Sequence, residues 1–245
     1  MTPRIFVGAD AHALAPGAHY RLPPQAARHV AQVLRLRTGQ ALRLFTGGGG
    51  EYAATIERVE RREVVLRIGR HDAIERESAW AITLVQSLIA ADMMDWIVRK
   101  AVELGVAAIV PVQAARSQAV PPERAMRRVE HWRQVAIAAC EQCGRNRVPE
   151  ILPAVAFAEW VESSAALADA AMLDPAADRS LAACAGARPP RIIAVGPEGG
   201  FTAEELRDAC ARGATPAHLG RRVLRAETAA LAALATLGAI AGDAR

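Results

Sequence analysis

The sequence predicts an α/β protein in two parts, a small strand-rich front module and a larger body built on a mostly parallel sheet. Three observations carry this. Short apolar runs separated by turn residues fill the first 75 residues. From Trp80 onward apolar strands alternate with amphipathic helices, the pattern of a parallel sheet covered on both faces. Charge divides at the same place. Residues 1–78 carry 12 arginines against 8 acids, whereas residues 79–245 carry 18 basic and 18 acidic groups.

In the front module RIFVG, ALRLFTG, EYAATIERV and EVVLRIG read as strands, with the Gly47–Gly50 run as a turn. One helix interrupts them. PPQAARHVAQVLRL places Ala27, Val30, Val33 and Leu34 on one face and Arg28 and Arg35 outside it. The module is expected over 1–72, with a polar, aperiodic linker over 73–79.

The body, 80–245, begins with strand AITLVQSLI, helix DMMDWIVRKAVELG and strand VAAIVPV. A long helix, PERAMRRVEHWRQVAIAACEQCG, has proline in its first turn and glycine at its end. Helix AFAEWVESSAAL, strands DAAMLD and RIIAVG, helix TAEELRDACARG, a short strand at PAHLG and the final helix ETAALAALATLGAIAG complete it. Trp80, Trp96, Trp132 and Trp160 fall on apolar faces and are expected in the core.

Composition excludes several classes. Of the 30 basic side chains only Lys100 is a lysine, and no glycine-rich loop precedes it, so a P-loop NTPase is out. No G-x-G-x-x-G follows any strand, which disfavours a dinucleotide-binding oxidoreductase. The longest apolar stretch, Ala229–Ala241, is shorter than the roughly 20 residues of a membrane helix. The N-terminus has no apolar signal core, and four cysteines without framework spacing suit a reducing compartment. A cytoplasmic protein without a membrane partner is expected. Cys140 and Cys143 form C-x-x-C, but no second ligand pair completes a zinc site, so no metal is expected. The basic front module suggests an anionic polymer as partner, or else a solvated face.

Two loops invite chemistry. VGPEGGFTAEEL lies between a buried strand and a helix, with Thr202 and Glu205 at capping-box spacing. That is where open α/β sheets bind ligands, although a plain tight connection has the same look. Glu198 repels a pyrophosphate and suits a nucleoside carrying positive charge, such as S-adenosyl-L-methionine. HLGRRVLRAETAA sets Arg225 and Glu227 beside a helix start, where capping by Glu227 and Thr228 is the simpler role.

GPEGGFTAEE followed by LGRRVLRAETA resembles the signature of the SPOUT methyltransferases. More narrowly, it is similar to the RsmE family, which methylates N3 of a uridine in small-subunit ribosomal RNA. KAVELGVAAIVPV with the following ARS, the block Glu141, Gln142, Arg145 and Pro149 within AACEQCGRNRVPEI, and RHVAQVLRLRTGQ resemble that family's segments in the same order. The resemblance implies a PUA-like β-barrel followed by a SPOUT domain with a C-terminal trefoil knot, a homodimer, and S-adenosyl-L-methionine held at Leu173, Gly196, Glu198, Gly199, Gly200, Leu219, Gly220 and Leu224.

For such a reaction Arg225 is the first candidate to stabilise charge developing on uracil, and Glu227 or Glu141 to assist deprotonation. An Arg225–Glu227 ion pair of purely structural use is the other reading. Arg4, Arg28, His29 and Arg35 are expected to contact ribosomal RNA or the small subunit, with Arg116, Arg145 and Arg147 as a second surface. Arg35 could instead cap its helix, and His29 could be packed. Another SPOUT RNA methyltransferase with a different target, or a non-catalytic RNA-binding relative, are the rival readings.

Overall fold

The computed structural model describes residues 2–8, 14–60, 63–187 and 189–243. Asp10, Arg61 and Arg62, which enter the charge balance above, lie outside them. The chain divides into two compact units, Met1–Glu77 with Cys140–Val148, and Ser78–Ala139 with Pro149–Arg245.

The first unit contains β1 (Arg4–Phe6), β2 (His19–Arg21), α1 (Pro24–Arg28), β3 (Ala41–Phe45), β4 (Glu51–Val59) and β5 (Val64–Asp72). These strands form a sheet in the order β1-β3-β4-β5-β2. β1 pairs with β3 in parallel and the other pairs are antiparallel. Strict alternation sends Leu42, Leu44, Ala54, Ile56, Leu66 and Ile68 into one core. β2 escaped the sequence reading because three residues with only Tyr20 inward give no periodic signal.

The helix over PPQAARHVAQVLRL differs from expectation. α1 lasts one turn and passes into a π-helical turn, His29–Val33, closed by Leu34 N–H on His29 C=O at 2.9 Å. The extra residue in that turn rotates the positions after it. Val30 is buried, but Val33, expected on the same face, is 65 % exposed. The segment ends with Arg35 at φ 52°, a left-handed conformation that a side-chain-bearing residue adopts at a cost of about 1 kcal/mol.

The second unit runs β6 (Thr83–Ser87), α2 (Ala91–Glu103), β7 (Ala108–Gln113), α3 (Pro122–Cys143, whose last turn belongs to the first unit), β8 (Glu150–Ile151), β9 (Val155–Ala156), α4 (Phe157–Ser163), β10 (Ala170–Leu173), α5 (Leu181–Ala187), β11 (Ile192–Val195), α6 (Ala203–Ala211), β12 (Thr215–Ala217) and α7 (Ala226–Ala241). The sheet order is β12-β10-β11-β6-β7-β8, with β9 also on β7, and every pairing is parallel. Parallel strands need crossovers, which the helices supply. One face buries Val85, Val110, Met172 and Ala194 beneath Phe157, Trp160 and Phe201. α7 packs on α2, α5 and β11, using Ala226, Ala230, Ala233, Leu234 and Leu237. Trp132 and Trp160 are core residues as expected, whereas Trp96 is 37 % exposed, on the side of α2 away from the buried Met94 and Val98.

Candidate cofactor pocket and the arginines of the front unit

Three chain segments leave the carboxyl ends of β10, β11 and β12 side by side. β11 sits next to β10 and β10 next to β12, so their exit loops must meet. Beyond the sheet, His218 N–H donates to Arg179 C=O and Leu181 N–H to His218 C=O, both at 2.9 Å, extending the pairing. Between these loops lies a cavity of about 410 Å³, within the usual size of a small-molecule site. Leu173, Gly196, Glu198, Gly199, Gly200, Leu219, Gly220 and Leu224 all line it. The two loops picked out from the sequence thus line one cavity.

The GPEGG loop is held from several sides. Gly200 N–H donates to Pro197 C=O at 2.8 Å, closing a tight turn. The capping box is formed: Glu205 N–H donates to Thr202 Oγ1 at 3.1 Å, and Thr202 N–H donates to Glu205 Oε2 at 2.8 Å. Such a cap is worth about 1 kcal/mol. The other oxygen of Glu205 accepts from Ala115 N–H at 2.8 Å, tying in the loop after β7. Phe201 is buried against Phe157, with ring centroids 4.8 Å apart.

The glycines divide into two kinds. At Gly196 a Cβ would lie 2.9 Å from Phe201 N and 3.1 Å from Gly200 C, so the turn folds back too tightly for any side chain. Gly200 and Gly220 have φ of 69° and 109°, and a Cβ on either would meet nothing within 4 Å. The backbone is bare where a ligand must come close.

Arg116 was expected on an RNA surface. It lines this cavity, its Nη1 donating to Gly199 C=O at 2.6 Å. Asp174, His218 and Arg222 also line the cavity and were not anticipated. Asp174 could have been found, because it follows a strand's carboxyl end directly. Arg225 is the exposed N-cap of α7 and Glu227 stands in its first turn. Neither lines the cavity, although Leu224 and Ala226 do. No ion pair joins Arg225 to Glu227 among the described residues.

Glu141 belongs to the first unit, where its Oε1 accepts from Phe6 N–H at 2.9 Å. Burial pushes its carboxyl above the ordinary value, opposed by that hydrogen bond and by the charges of His29 and Arg4. Arg4 pairs with buried Glu51, donates to Asn146 Oδ1 at 2.6 Å and to Arg145 C=O at 3.0 Å, and lies over the Phe45 ring. Arg145 pairs with Glu77 and its side chain is 4 % exposed. This corrects the expectation that Arg4 and Arg145 present open contacts to RNA, since buried guanidiniums with acid partners are structural ties. Arg147 is half exposed and 3.6 Å from Glu75. Arg28 and Arg35 are exposed and form no ion pair among the described residues, and His29 is half-buried beside them.

Known proteins match this arrangement along almost the whole chain. Residues 76–238 match the model of an RNA methyltransferase domain, and residues 22–69 that of an RNA methyltransferase PUA domain. The fold is therefore that of an RNA methyltransferase. The ribosomal RNA small subunit methyltransferase E of Synechocystis is 30% identical over 219 residues, covering 86% of this chain and 70% of that protein. A putative methyltransferase from Legionella pneumophila, solved in complex with the bound cofactor SAM, is 36% identical with a TM-score of 0.88, covering 98% of both chains. The ribosomal RNA small subunit methyltransferase E of Neisseria gonorrhoeae, bound to S-adenosyl methionine, is 34% identical with a TM-score of 0.90, again over 98% of each chain. The chain belongs to the family of ribosomal RNA small subunit methyltransferases E.

Proposed function

We propose that this protein transfers a methyl group to N3 of one uridine in small-subunit ribosomal RNA. The observation that carries the reading is the single cavity formed by GPEGG, LGRRVLRAET and the end of β10. The bare backbone at Gly200 and Gly220 fits S-adenosyl-L-methionine, with Glu198 and Asp174 supplying negative charge for a cationic ligand. When bound, that cofactor supplies an electrophilic methyl on a sulfonium.

Uracil N3 lies on the Watson–Crick edge, so the target base has to be unpaired to reach the pocket. Its imide proton must leave, and negative charge then spreads to the flanking oxygens. Arg225, next to pocket residues Leu224 and Ala226, remains a candidate to face that charge, with Glu227 two residues further on as a proton acceptor. Arg116 is a second cation, already oriented at the cavity by Gly199 C=O. Glu141 is better suited to holding the front unit together than to taking the imide proton, because it accepts from Phe6 N–H in the first unit and does not line the cavity. The exposed Arg28 and Arg35, with His29, are the RNA contacts in this reading, and Arg147 is a weaker one.

The finer architecture belongs to the same proposal. We infer that the five-stranded sheet closes as a PUA-like barrel over about residues 1–72 and that 80–245 form the SPOUT domain. The segment before α7 would thread to make the trefoil knot, since it leaves β12 at the sheet edge and yet α7 packs back on β11 and α2. A homodimer working in the cytoplasm completes the picture. Among the described residues no helix is long and apolar enough to cross a membrane. No group of His, Cys, Asp and Glu among them could hold a metal ion.

The test is nucleoside mass spectrometry of ribosomal RNA from a strain lacking the gene, with the purified protein added back. Loss of one 3-methyluridine and its return in vitro are expected. An unchanged modification profile would refute the assignment.

A further inference from the structure

The outer face of the first unit's sheet carries a feature that the pocket does not use. Alternation buries Leu42, Ala54 and Ile68, so Ala41, Arg43, Ala53, Thr55, Arg67 and Gly69 point the other way. Register brings these six together. Arg43 pairs with Ala53, Ala41 with Thr55, and Thr55 with Arg67 across β3, β4 and β5. Ala53 falls at the register shift between Tyr52 and Ala54, which bends β4 there. The result is a shallow cup of about 310 Å³.

Its floor is small and its corners are cationic. Ala41, Ala53, Thr55 and Gly69 make the floor, while Arg43 and Arg67 stand diagonally, their backbones about 12 Å apart across two strand spacings and a two-residue offset. A Cβ at Gly69 would come within 3.1 Å of Ala53 C=O, so a side chain at this strand position would push β4 back by a few tenths of an ångström. A glycine inside a strand marks a place where another backbone can approach closely.

The nearby acids leave positive charge over. Glu51 is ringed by Arg4, by Arg43 at 3.3 Å and by Arg76 at 3.6 Å, so one carboxylate serves three guanidiniums. Glu57 is shared between Arg67, at 3.9 Å, and His19, at 2.8 Å. Arg67 is 65% exposed and reaches its acid only at the edge of ion-pair range.

We propose that this cup is a second RNA-binding site, distinct from the Arg28–Arg35 segment, in which a single-stranded sugar–phosphate backbone lies on the small-residue floor. Arg43 and Arg67 each contact a phosphate. The absence of an aromatic side chain from the floor favours backbone over stacked bases, so the cup positions RNA without reading sequence. The inference rests on the RNA-methyltransferase reading above.

The test is fluorescence anisotropy of a labelled 12-nucleotide oligouridylate on the full chain, across a salt series. Two variants are compared, R43A/R67A and Thr55→Trp. The second keeps both charges and fills the cup from an exposed position. Two lost phosphate contacts flatten the log–log salt slope by about 1.4 and weaken binding roughly tenfold at 50 mM salt. Thr55→Trp should weaken binding to a similar degree, and both variants should retain wild-type affinity for S-adenosylmethionine as proof of folding. If both variants bind RNA as the wild type does, the cup is overturned while the RNA reading stands. If the wild type shows no salt-dependent affinity for RNA, that reading falls and takes the cup with it. Competition by a polyglutamate of equal charge as effective as RNA itself would also overturn the choice of ligand.

Discussion

Replacing Gly196 by alanine drives one methyl group against main-chain atoms. The new Cβ would sit 2.9 Å from Phe201 N, 3.1 Å from Gly200 C and 3.2 Å from Gly200 Cα, all of them backbone and none able to swing aside. The turn itself must open. Overpacking of this kind costs about 1–3 kcal/mol. If the opening is confined to the loop, the cost appears in ligand binding, and 1–3 kcal/mol corresponds to about 5- to 150-fold weaker affinity. Gly200→Ala is the internal control. There φ is 69° but nothing lies within 4 Å of the Cβ, so the penalty is backbone strain of about 1 kcal/mol plus whatever the methyl displaces from a bound ligand. Calorimetric titration with S-adenosylmethionine and thermal melts of both variants make the comparison. The expected outcome is a melting temperature lowered more by Gly196→Ala than by Gly200→Ala, with affinity weakened in both. A Gly196→Ala protein that binds within twofold of wild type at an unchanged melting temperature would refute the reasoning.

Glu205 does more than cap its helix. Thr202→Ala should cost about 1 kcal/mol of stability, whereas Glu205→Ala also releases Ala115 N–H and should weaken cofactor binding further than Thr202→Ala does; equal affinities in the two variants would show that the Ala115 tie is idle. The raised carboxyl of Glu141 favours its neutral form in the fold, so its stabilising contribution is complete below the unfolded-state value and is lost as pH rises through the folded one. Glu141→Gln keeps an acceptor for Phe6 N–H without the charge, and should flatten that decline in thermal stability with rising pH; a profile parallel to wild type would count against it. Cys140 is fully buried and its thiol is pushed up to about 12, chiefly by burial. In the native protein at about pH 8, near the ordinary thiol value, iodoacetamide should modify the partly exposed Cys143 and Cys184 and spare Cys140, as peptide mapping would show; equal labelling of Cys140 would mean that the last turn of α3 opens readily.

Much of the site was legible in the sequence because its chemistry is local. The capping box at Thr202 and Glu205 needs only the right side chains three residues apart, and the structure forms both of its hydrogen bonds. The glycines of GPEGG and the apolar run before them mark a strand end whatever lies elsewhere. The same holds for alternation in β3, β4 and β5. The π-turn at His29–Val33 was not legible, since an i→i+5 bond inserts one residue without any change in composition. β2 was missed because three strand residues complete too little of a period, and α5 because LAACAGA is nearly all small residues with no charged face to set one.

The sequence by itself determined the alternating elements, the glycine turns, the cap and the family likeness, all of which depend on residues close along the chain or on matched motifs. Only the tertiary structure decided where the arginines act. It took Arg4 and Arg145 into buried pairs with Glu51 and Glu77, swung Arg116 to the pocket, and assembled Arg43 and Arg67 around one cup. A guanidinium's role is set by the acid or the solvent it meets. Those partners lie tens of residues away along the chain, where no local pattern reaches.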